Sequence, residues 1–519
     1  MLKKIIFLGL SLLILTPISK AQVCGTTGDQ VMERLQQNKQ ALYNSPIIPR
    51  SIRYLPVKFH IVSRTDGTGG VPEAQIFEML CSVNADFLEM NLQFYIKDGD
   101  FNYLANSAIY DLILDSDHPD ATVNPNIITN IMRANKDGDA LNIWMVKDII
   151  LNAENTGNIL GFYSPDPQND WVVLLNNEVR GSSITLSHEL GHFFSLPHPF
   201  NGWENDPYDA EKHGNPVQAN SPGFNPFNII PTEKMDGSNC ETAGDRICDT
   251  PPDYNFAGVS CSWTEEIQDP TGTIVDPEEK LMMGYFPCSK DDYFFTDMQQ
   301  QIMIQDAASS SRNYLVTAPD LVTTELQENT SLVFPASNEV LTYYQNLELE
   351  WAAIPGATQY LVEVDRLPTF IFQKQSFFVK DANFLELANL EPNKKYYWRV
   401  KAYNNYSTCQ PFTPAIAFTT GESPTAVRDI DFVSKWNLSP NPLTINQPLS
   451  LGFTAEKAFQ ANIRLFSLNG QEVMPLQSFR FQAGANKVAV ELPNLKNGVY
   501  MIAMESTEGV RTERIIIAR

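Results

Sequence analysis

The 519-residue chain has little positive charge: 37 basic residues stand against 61 acidic ones, for a formal charge of −24. That deficit excludes nucleic acid or an anionic membrane as the natural partner surface. Histidine and cysteine are also scarce, at six and seven. After residues 5–15 no apolar run approaches the ~20 residues needed to cross a bilayer. The mature chain is therefore expected to be soluble and not an integral membrane protein. Apolar residues in general are plentiful, 43% of the chain with 11% aromatic, which excludes wholesale disorder. The length suggests about three domains. The scarce residues are also unevenly placed. Residues 22–329 carry 44 acids and 17 bases, residues 435–519 carry 6 acids and 9 bases, and three of the six histidines fall within 188–198.

The single long apolar run reads as an address. Lys3 and Lys4 precede Ile5–Leu15, and a small-residue site ends at Ala21, which together match a secretory signal peptide over residues 1–21. Export to an oxidising compartment permits disulfides, and seven cysteines leave at least one thiol without an internal partner.

Residues 53–315 mix patterns of both kinds, an α+β signature. Tyr54–Val62 and Trp171–Leu175 read as strands, and Glu73–Met90 carries apolar residues near helical spacing. Thr296-Asp297 looks like the start of a helix running through Met303. Residues 332–420 change to strict alternation, as in Leu347, Leu349, Trp351 and in Tyr396, Trp398, Val400, Ala402. This predicts a β-sandwich and resembles a fibronectin type III module, to which spacing or binding is assigned. A linker is expected at Gly421–Thr425. Residues 435–519 form another all-β unit. Ser439-Pro440-Asn441-Pro442, Asn469-Gly470, the Leu492–Tyr500 stretch and the basic end from Arg511 resemble the C-terminal sorting domain of type IX secretion. That resemblance implies the type IX machinery as a partner and export across both membranes, to the medium or the cell surface.

The chemistry concentrates in His188-Glu189-Leu190-Gly191-His192-Phe193-Phe194-Ser195-Leu196-Pro197-His198. Two histidines four apart project from one helix face and can share a metal ion. His198 supplies a third nitrogen and leaves a fourth position open, the arrangement a catalytic zinc requires. Zinc brings the pKa of a bound water to about 7, and Glu189 is placed to act on that water as general base. Phe193 and Phe194 are expected to wedge the helix end into the core.

The extended motif resembles the metzincin metalloproteases, whose pattern has glycine where this chain has Ser195. A left-handed turn there costs serine about 1 kcal/mol relative to glycine. The resemblance continues at Leu281-Met282-Met283-Gly284-Tyr285. Met283 matches the methionine under the zinc, and Tyr285 a donor toward the tetrahedral intermediate. Gly244–Pro251 and Phe295–Gln299 narrow the resemblance to the pappalysin family, in its cytophagalysin-like branch, over roughly residues 50–315. Leu281 stands where that family usually has asparagine. The implied fold is an α+β metzincin-type catalytic domain followed by two all-β sandwich domains.

Cys240, Cys248, Cys261 and Cys288 allow three pairings. The resemblance implies two disulfides among them, one reaching the cysteine after the methionine turn. Cys81, on the apolar-patterned helix, reads most simply as a buried free thiol, and Cys409 lies in the sandwich. Cys24 opens Cys24-Gly25-Thr26 at the front of a short pro-segment, residues 22–52. A thiolate is a good zinc ligand, so Cys24 is either a latency ligand at the open position or a disulfide or inert thiol. Cleavage between about Arg50 and Arg53 would release the mature enzyme. Asp245, Asp249, Thr250 and Asp253 gather oxygens of the kind calcium takes, and the resemblance implies calcium near that segment. His60, His118 and His213 carry no motif and are expected to be structural or exposed.

The expected activity is that of a secreted zinc endopeptidase acting on protein or peptide substrates. The substrate is expected to extend along an edge strand at Trp171–Leu175. A zinc hydrolase of another amide is the rival among enzymes. A secreted adhesion or binding protein with an inactive protease domain is the rival from another class. A preference for basic residues after the scissile bond, found in some pappalysins through an acid near the methionine turn, is not carried over, because Asp291 and Asp292 are displaced and Lys290 is adjacent.

Overall fold

The computed structural model describes residues 23–26, 28–49, 51–152, 159–223, 229–256, 260–318, 321, 325–326, 330–388, 390–423, 430–444 and 448–518. The signal-peptide reading, Arg50 and the end of the expected linker lie outside these residues.

The first unit is a mixed, mostly parallel sheet. Its elements are β1 (Val23–Cys24), α1 (Gly28–Asn44), β2 (Arg53–Ser63), α2 (Glu73–Asp86), β3 (Leu92–Ile96), β4 (Asn102–Ala105), α3 (Pro125–Asn135), β5 (Leu141–Val146), β6 (Ile159–Ser164), β7 (Trp171–Leu175), α4 (Thr185–Phe193) and α5 (Asp297–Ala307). The order across the sheet is β1-β6-β7-β5-β2-β3, with β4 also on β2. Strand β6 is antiparallel to β7 and the remaining neighbours are parallel. Alternation along β5 explains why both faces are covered. Leu141, Ile143 and Met145 enter the core shared with α1, α2, α4 and α5, whereas Trp144 and Val146 enter the core beneath α3. Each fully buried aliphatic side chain contributes about 1.5–3 kcal/mol, so the sheet is a rigid platform for the helices laid on it.

Two sequence expectations are corrected here. Trp171–Leu175 is a strand but not an edge, because it pairs with β5 on one side and β6 on the other. The edge is Ile159–Ser164, and the N-terminal segment already occupies it as β1. The apolar pattern read as a helix to Met90 ends at Asp86, after which Phe87 and Met90 turn into the core from a loop.

Residues 332–419 form two sheets packed face to face. Three strands (Leu332–Phe334, Leu347–Trp351, Phe384–Leu387) face five (Glu339–Val340, Ile416–Thr419, Lys395–Tyr403, Gln359–Asp365, Gln375–Lys380). Trp351, Trp398, Val362 and Val400 fill the space between them. This sandwich is not a free spacer. Cys81, expected as a free thiol, is bonded to Cys409 across 328 residues. Tyr403 and Leu361 enter the core of the first unit, with the Tyr403 ring tilted against Phe77 at 4.4 Å between centroids. Hydrogen bonds to main-chain carbonyls seal the joint: Ile96 N–H donates to the Asn405 carbonyl at 3.0 Å, and the Gln359 side-chain Nε2 to the Gly99 carbonyl at 3.1 Å. Cys81 is half-buried rather than buried, and a single sequence does not reveal which distant cysteine reaches it.

Residues 433–517 pack three strands against four around Leu449, Leu451, Ile463, Leu465, Ile502 and Met504. Among the described residues no helix is long and apolar enough to cross a membrane.

Replacing both Cys81 and Cys409 with alanine is expected to lower the unfolding free energy by about 2–4 kcal/mol, read from urea denaturation under non-reducing conditions. An unchanged midpoint would mean the packed interface alone holds the two units.

Candidate metal centre

Helix α4 is buried at every residue, so its first task is to fit. Gly191 fits because nothing larger can: a Cβ there would lie 2.2 Å from Met283 Sδ. The methionine therefore lies against the helix between its two histidines. Gly191 is a positioning residue that the sequence reading did not single out, although it stands inside the motif. The helix ends in a left-handed residue, Ser195, at φ 76°. Leu196 N–H donates to the Gly191 carbonyl at 2.9 Å and Ser195 N–H to His192 at 3.0 Å, closing the turn that carries His198 back. Serine survives in this conformation because its hydroxyl is held by the Asp306 carboxylate and accepts from Asn38 Nδ2 at 2.9 Å. Asp306 is in turn bonded to Arg312, whose guanidinium also meets Asp170 at 3.1 Å and the Phe193 carbonyl. A buried cation thus sits at the C-terminus of α4, where the helix dipole favours it.

The three histidines converge. His188 Nδ1 donates to the Met282 carbonyl at 2.8 Å and His192 Nδ1 to the Leu196 carbonyl at 2.7 Å. Those bonds place the proton on Nδ1 and leave Nε2 as a lone pair. Both lone pairs face His198 Nε2, at 3.2 and 3.1 Å. At most one of these contacts can contain a proton, and a cation between the nitrogens would satisfy all three. Tetrahedral ligands about 2.0–2.1 Å from zinc stand roughly 3.3 Å apart, close to the observed separations. Burial holds all three imidazoles below their ordinary pKa, His188 at about 4, so they stay neutral and able to ligate. Cys24 Sγ completes the group: the four ligand atoms lie within 4.8 Å of one another. Among the described residues this is the one such cluster of three or more.

Every residue of Cys24-Gly25-Thr26 is used. Strand β1 runs parallel to β6 with Cys24 opposite Gly161, and Cys24 N–H donates to Tyr285 Oη at 2.8 Å. Gly25 is required because a Cβ would meet Leu151 Cδ1 at 2.5 Å. Thr26 Oγ1 accepts from Tyr163 N–H at 2.8 Å and donates to Glu189 Oε2 at 3.1 Å. The Cys24 thiol also reaches Glu189 Oε2, at 3.4 Å. Burial raises the Glu189 carboxyl to about 8. Burial, and then the charge of Glu189, push the Cys24 thiol well up. Zinc bound beside them would favour both ionised forms. Tyr285 Oη stands 3.3 Å from His198 Nε2. Beside this group a recess is lined by Leu160, Gly161, Ile184, Thr185 and Gly284. Lys290 is turned away into a pair with Asp86 at 2.5 Å.

The expected calcium ligands separate. Asp245 is buried and accepts from Thr250 Oγ1 at 2.9 Å. Asp249 instead turns to the N-terminus of α5, accepting from Thr296 Oγ1 at 2.7 Å and Met298 N–H at 2.8 Å. Asp253 accepts from Phe256 N–H at 3.1 Å. The partner missed in the sequence is Glu233. It is 4% exposed, its Oε2 has no hydrogen-bond partner, and a Cβ on Gly244 would lie 2.2 Å from that atom. Burial drives both the Glu233 and Asp245 carboxyls upward, and the charge of Asp245 adds to the shift of Glu233. Two buried carboxyls and a hydroxyl fit a hard cation. Nothing in the local spacing connects residue 233 to 245, so only the fold identifies this pair.

The four neighbouring cysteines pair as Cys240–Cys248 and Cys261–Cys288, which leaves Cys24 free among the described cysteines. His60 is buried between Asn142 and Asn102 and stacked on Trp144, His213 is buried beside Trp203, and His118 is half-buried.

Purified chain is expected to carry one zinc by elemental mass spectrometry. His192→Ala should lose it and Cys24→Ala should keep it; zinc retained by His192→Ala would overturn the assignment. Calcium added to chelator-stripped protein should raise its melting temperature, and Glu233→Gln should abolish that rise. An equal rise in the variant would move the calcium elsewhere.

One comparison with known proteins locates to the C-terminal end. Residues 437–518 match the family model described as "Secretion system C-terminal sorting domain". No curated protein matches the chain. The FN1–FN3 domains of chicken CNTN1 are similar at 16% identity, covering 35% of this chain and 68% of that one, with a TM-score of 0.18. The α-L-rhamnosidase of Dictyoglumus thermophilum is similar at 14%, covering 36% and 28%, TM-score 0.15. The fibronectin(III)-like modules of Clostridium thermocellum CbhA are similar at 11%, covering 36% and 92%, TM-score 0.16. The sorting domain marks this protein as a type IX secretion cargo, exported to the cell surface or beyond.

Proposed function

We propose that this protein is a secreted zinc endopeptidase of the metzincin type, resembling the pappalysin family, and that Cys24 holds it latent. The observation that carries this reading is the convergence of three neutral imidazole Nε2 atoms and a thiol beside a buried glutamate. Zinc in this site would polarise a water and the scissile carbonyl. His188, His192 and His198 would hold it, with the tautomers of His188 and His192 set by the Met282 and Leu196 carbonyls.

The remaining chemistry belongs to the chain. Glu189 takes a proton from the attacking water and delivers it to the leaving amine, a task suited to a carboxyl whose pKa burial has raised. Tyr285 donates its hydroxyl proton toward the developing oxyanion. The substrate adds to the sheet along Ile159–Ser164, the edge that β1 occupies. Latency then has three parts: Cys24 takes a metal position, Thr26 occupies the base, and β1 fills the substrate's strand position.

The test is a peptide-library cleavage assay on zinc-loaded chain from which the N-terminal segment has been removed. Glu189→Ala should cut the rate by about 10²–10⁴-fold and Tyr285→Phe by about 10²–10³-fold. Absence of cleavage by the zinc-bound chain that lacks the N-terminal segment and carries no substitution would refute the protease reading.

A further inference from the structure

The N-terminal segment is attached to the protein in two very different ways, and the contrast says what a cut in the chain accomplishes. Its connection to β2 is exposed coil: Ser45, Pro46, Ile47 and Ile48 face solvent, Ile48 at 80%. Helix α1 is the opposite. Val31 and Leu35 are fully buried and Met32 nearly so, one helical stripe set into the main core of the first unit. One turn later Asn38 Nδ2 donates to Ser195 Oγ and, at 2.6 Å, to Asp306 Oδ2. Lys39 Nζ, itself 8% exposed as a residue, bonds Glu241 Oε2 at 2.6 Å and the Arg246 carbonyl at 2.5 Å. Arg34 lies 5.2 Å over the Tyr163 ring.

We propose that helix α1 stays docked when the chain is cut between residues 45 and 53. The cut then turns residues 23–49 into a non-covalently bound second chain that still covers the metal. Cutting removes only the tether. It leaves each buried side chain and hydrogen bond of α1 in place, and a 17-residue helix released into water would lose both its core and most of its helicity. The occupant of the groove formed by α5, the end of α4 and the Glu241–Arg246 loop is therefore this chain's own helix, in cis before the cut and in trans after it. Uncovering Cys24's place at the metal requires a second event, the departure of α1. The consequence for activity rests on the protease reading above; the docking does not.

The experiment reads binding and thiol protection, so it does not depend on whether the protein cleaves anything. Zinc-loaded full chain is nicked with trypsin, whose candidate sites in the connection are Arg50 and Arg53. The products are then followed by gel filtration with intact-mass analysis and by iodoacetamide labelling of Cys24, the one described cysteine outside a disulfide. The segment is expected to co-elute with the body, with Cys24 labelling at least about 100-fold slower than in denaturant, as opening-limited exchange requires. Leu35→Asp should release the segment on nicking. Lys39→Ala, a change less dangerous to folding, should speed its release at least about tenfold, an effect on off-rate. Separation of the segment upon nicking, with Cys24 labelling as in the free peptide, would overturn the proposal. So would a release rate unchanged by Lys39→Ala together with a folded Leu35→Asp chain that retains the segment.

Discussion

Three imidazole Nε2 atoms brought to one buried point are the constraint on which the first unit turns. His198 Nε2 stands 3.1–3.2 Å from the other two, and one proton can satisfy only one of those contacts. The fold accepts this arrangement because each ring is fixed from behind. The Met282 and Leu196 carbonyls take the outer Nδ1 protons, Met283 lies flush on Gly191, and Phe200 stacks on His198. Such preorganisation is costly for a metal-free chain and favourable for a metal-loaded one. The platform beneath explains how it is sustained: a sheet covered on both faces, with α4 held at its C-terminal end by the buried Arg312–Asp306–Asp170 network.

The same network links the metal site to the N-terminal segment. Ser195 closes the turn that returns His198, Asp306 holds Ser195, and Asn38 of α1 holds both. The segment thus touches the site from two sides: in front, where β1 lays Cys24 and Thr26 over the three histidines and Glu189, and behind, where α1 braces the end of the histidine helix. The β-sandwich is joined to the rear of the same unit by a disulfide, a shared core and main-chain bonds. It therefore belongs mechanically to the first unit, whereas the sorting domain has a core of its own.

Much of this was legible in the sequence, where local rules govern. The spacing of His188, Glu189 and His192 needs only helical periodicity, and the alternation at Leu347–Trp351 and Tyr396–Ala402 needs only the pleat of a strand. The Thr296 cap was legible for the same reason, since a capping box lies within four residues. The recognised sorting signals are likewise short strings, each read from a few adjacent residues. Expectations failed where contacts cross long stretches of sequence. Cys81 finds Cys409 because two units fold against each other, β7 is internal because β6 returns beside it, and Glu233 meets Asp245 because an irregular loop folds back.

Residue identity and spacing by themselves determined that this chain is exported, that its C-terminal end is a sorting tag, and that three histidines and a glutamate stand on one helix and the turn after it. Only the tertiary structure decided which thiol faces those histidines, which strand the N-terminal segment pairs with, which carboxylates are buried together and that the sandwich is part of the body. The physical reason is range. A helix turn or a strand pleat is set by neighbours a few residues apart, whereas burial, ion pairing and disulfide partners are set by whatever the completed fold brings to the same place.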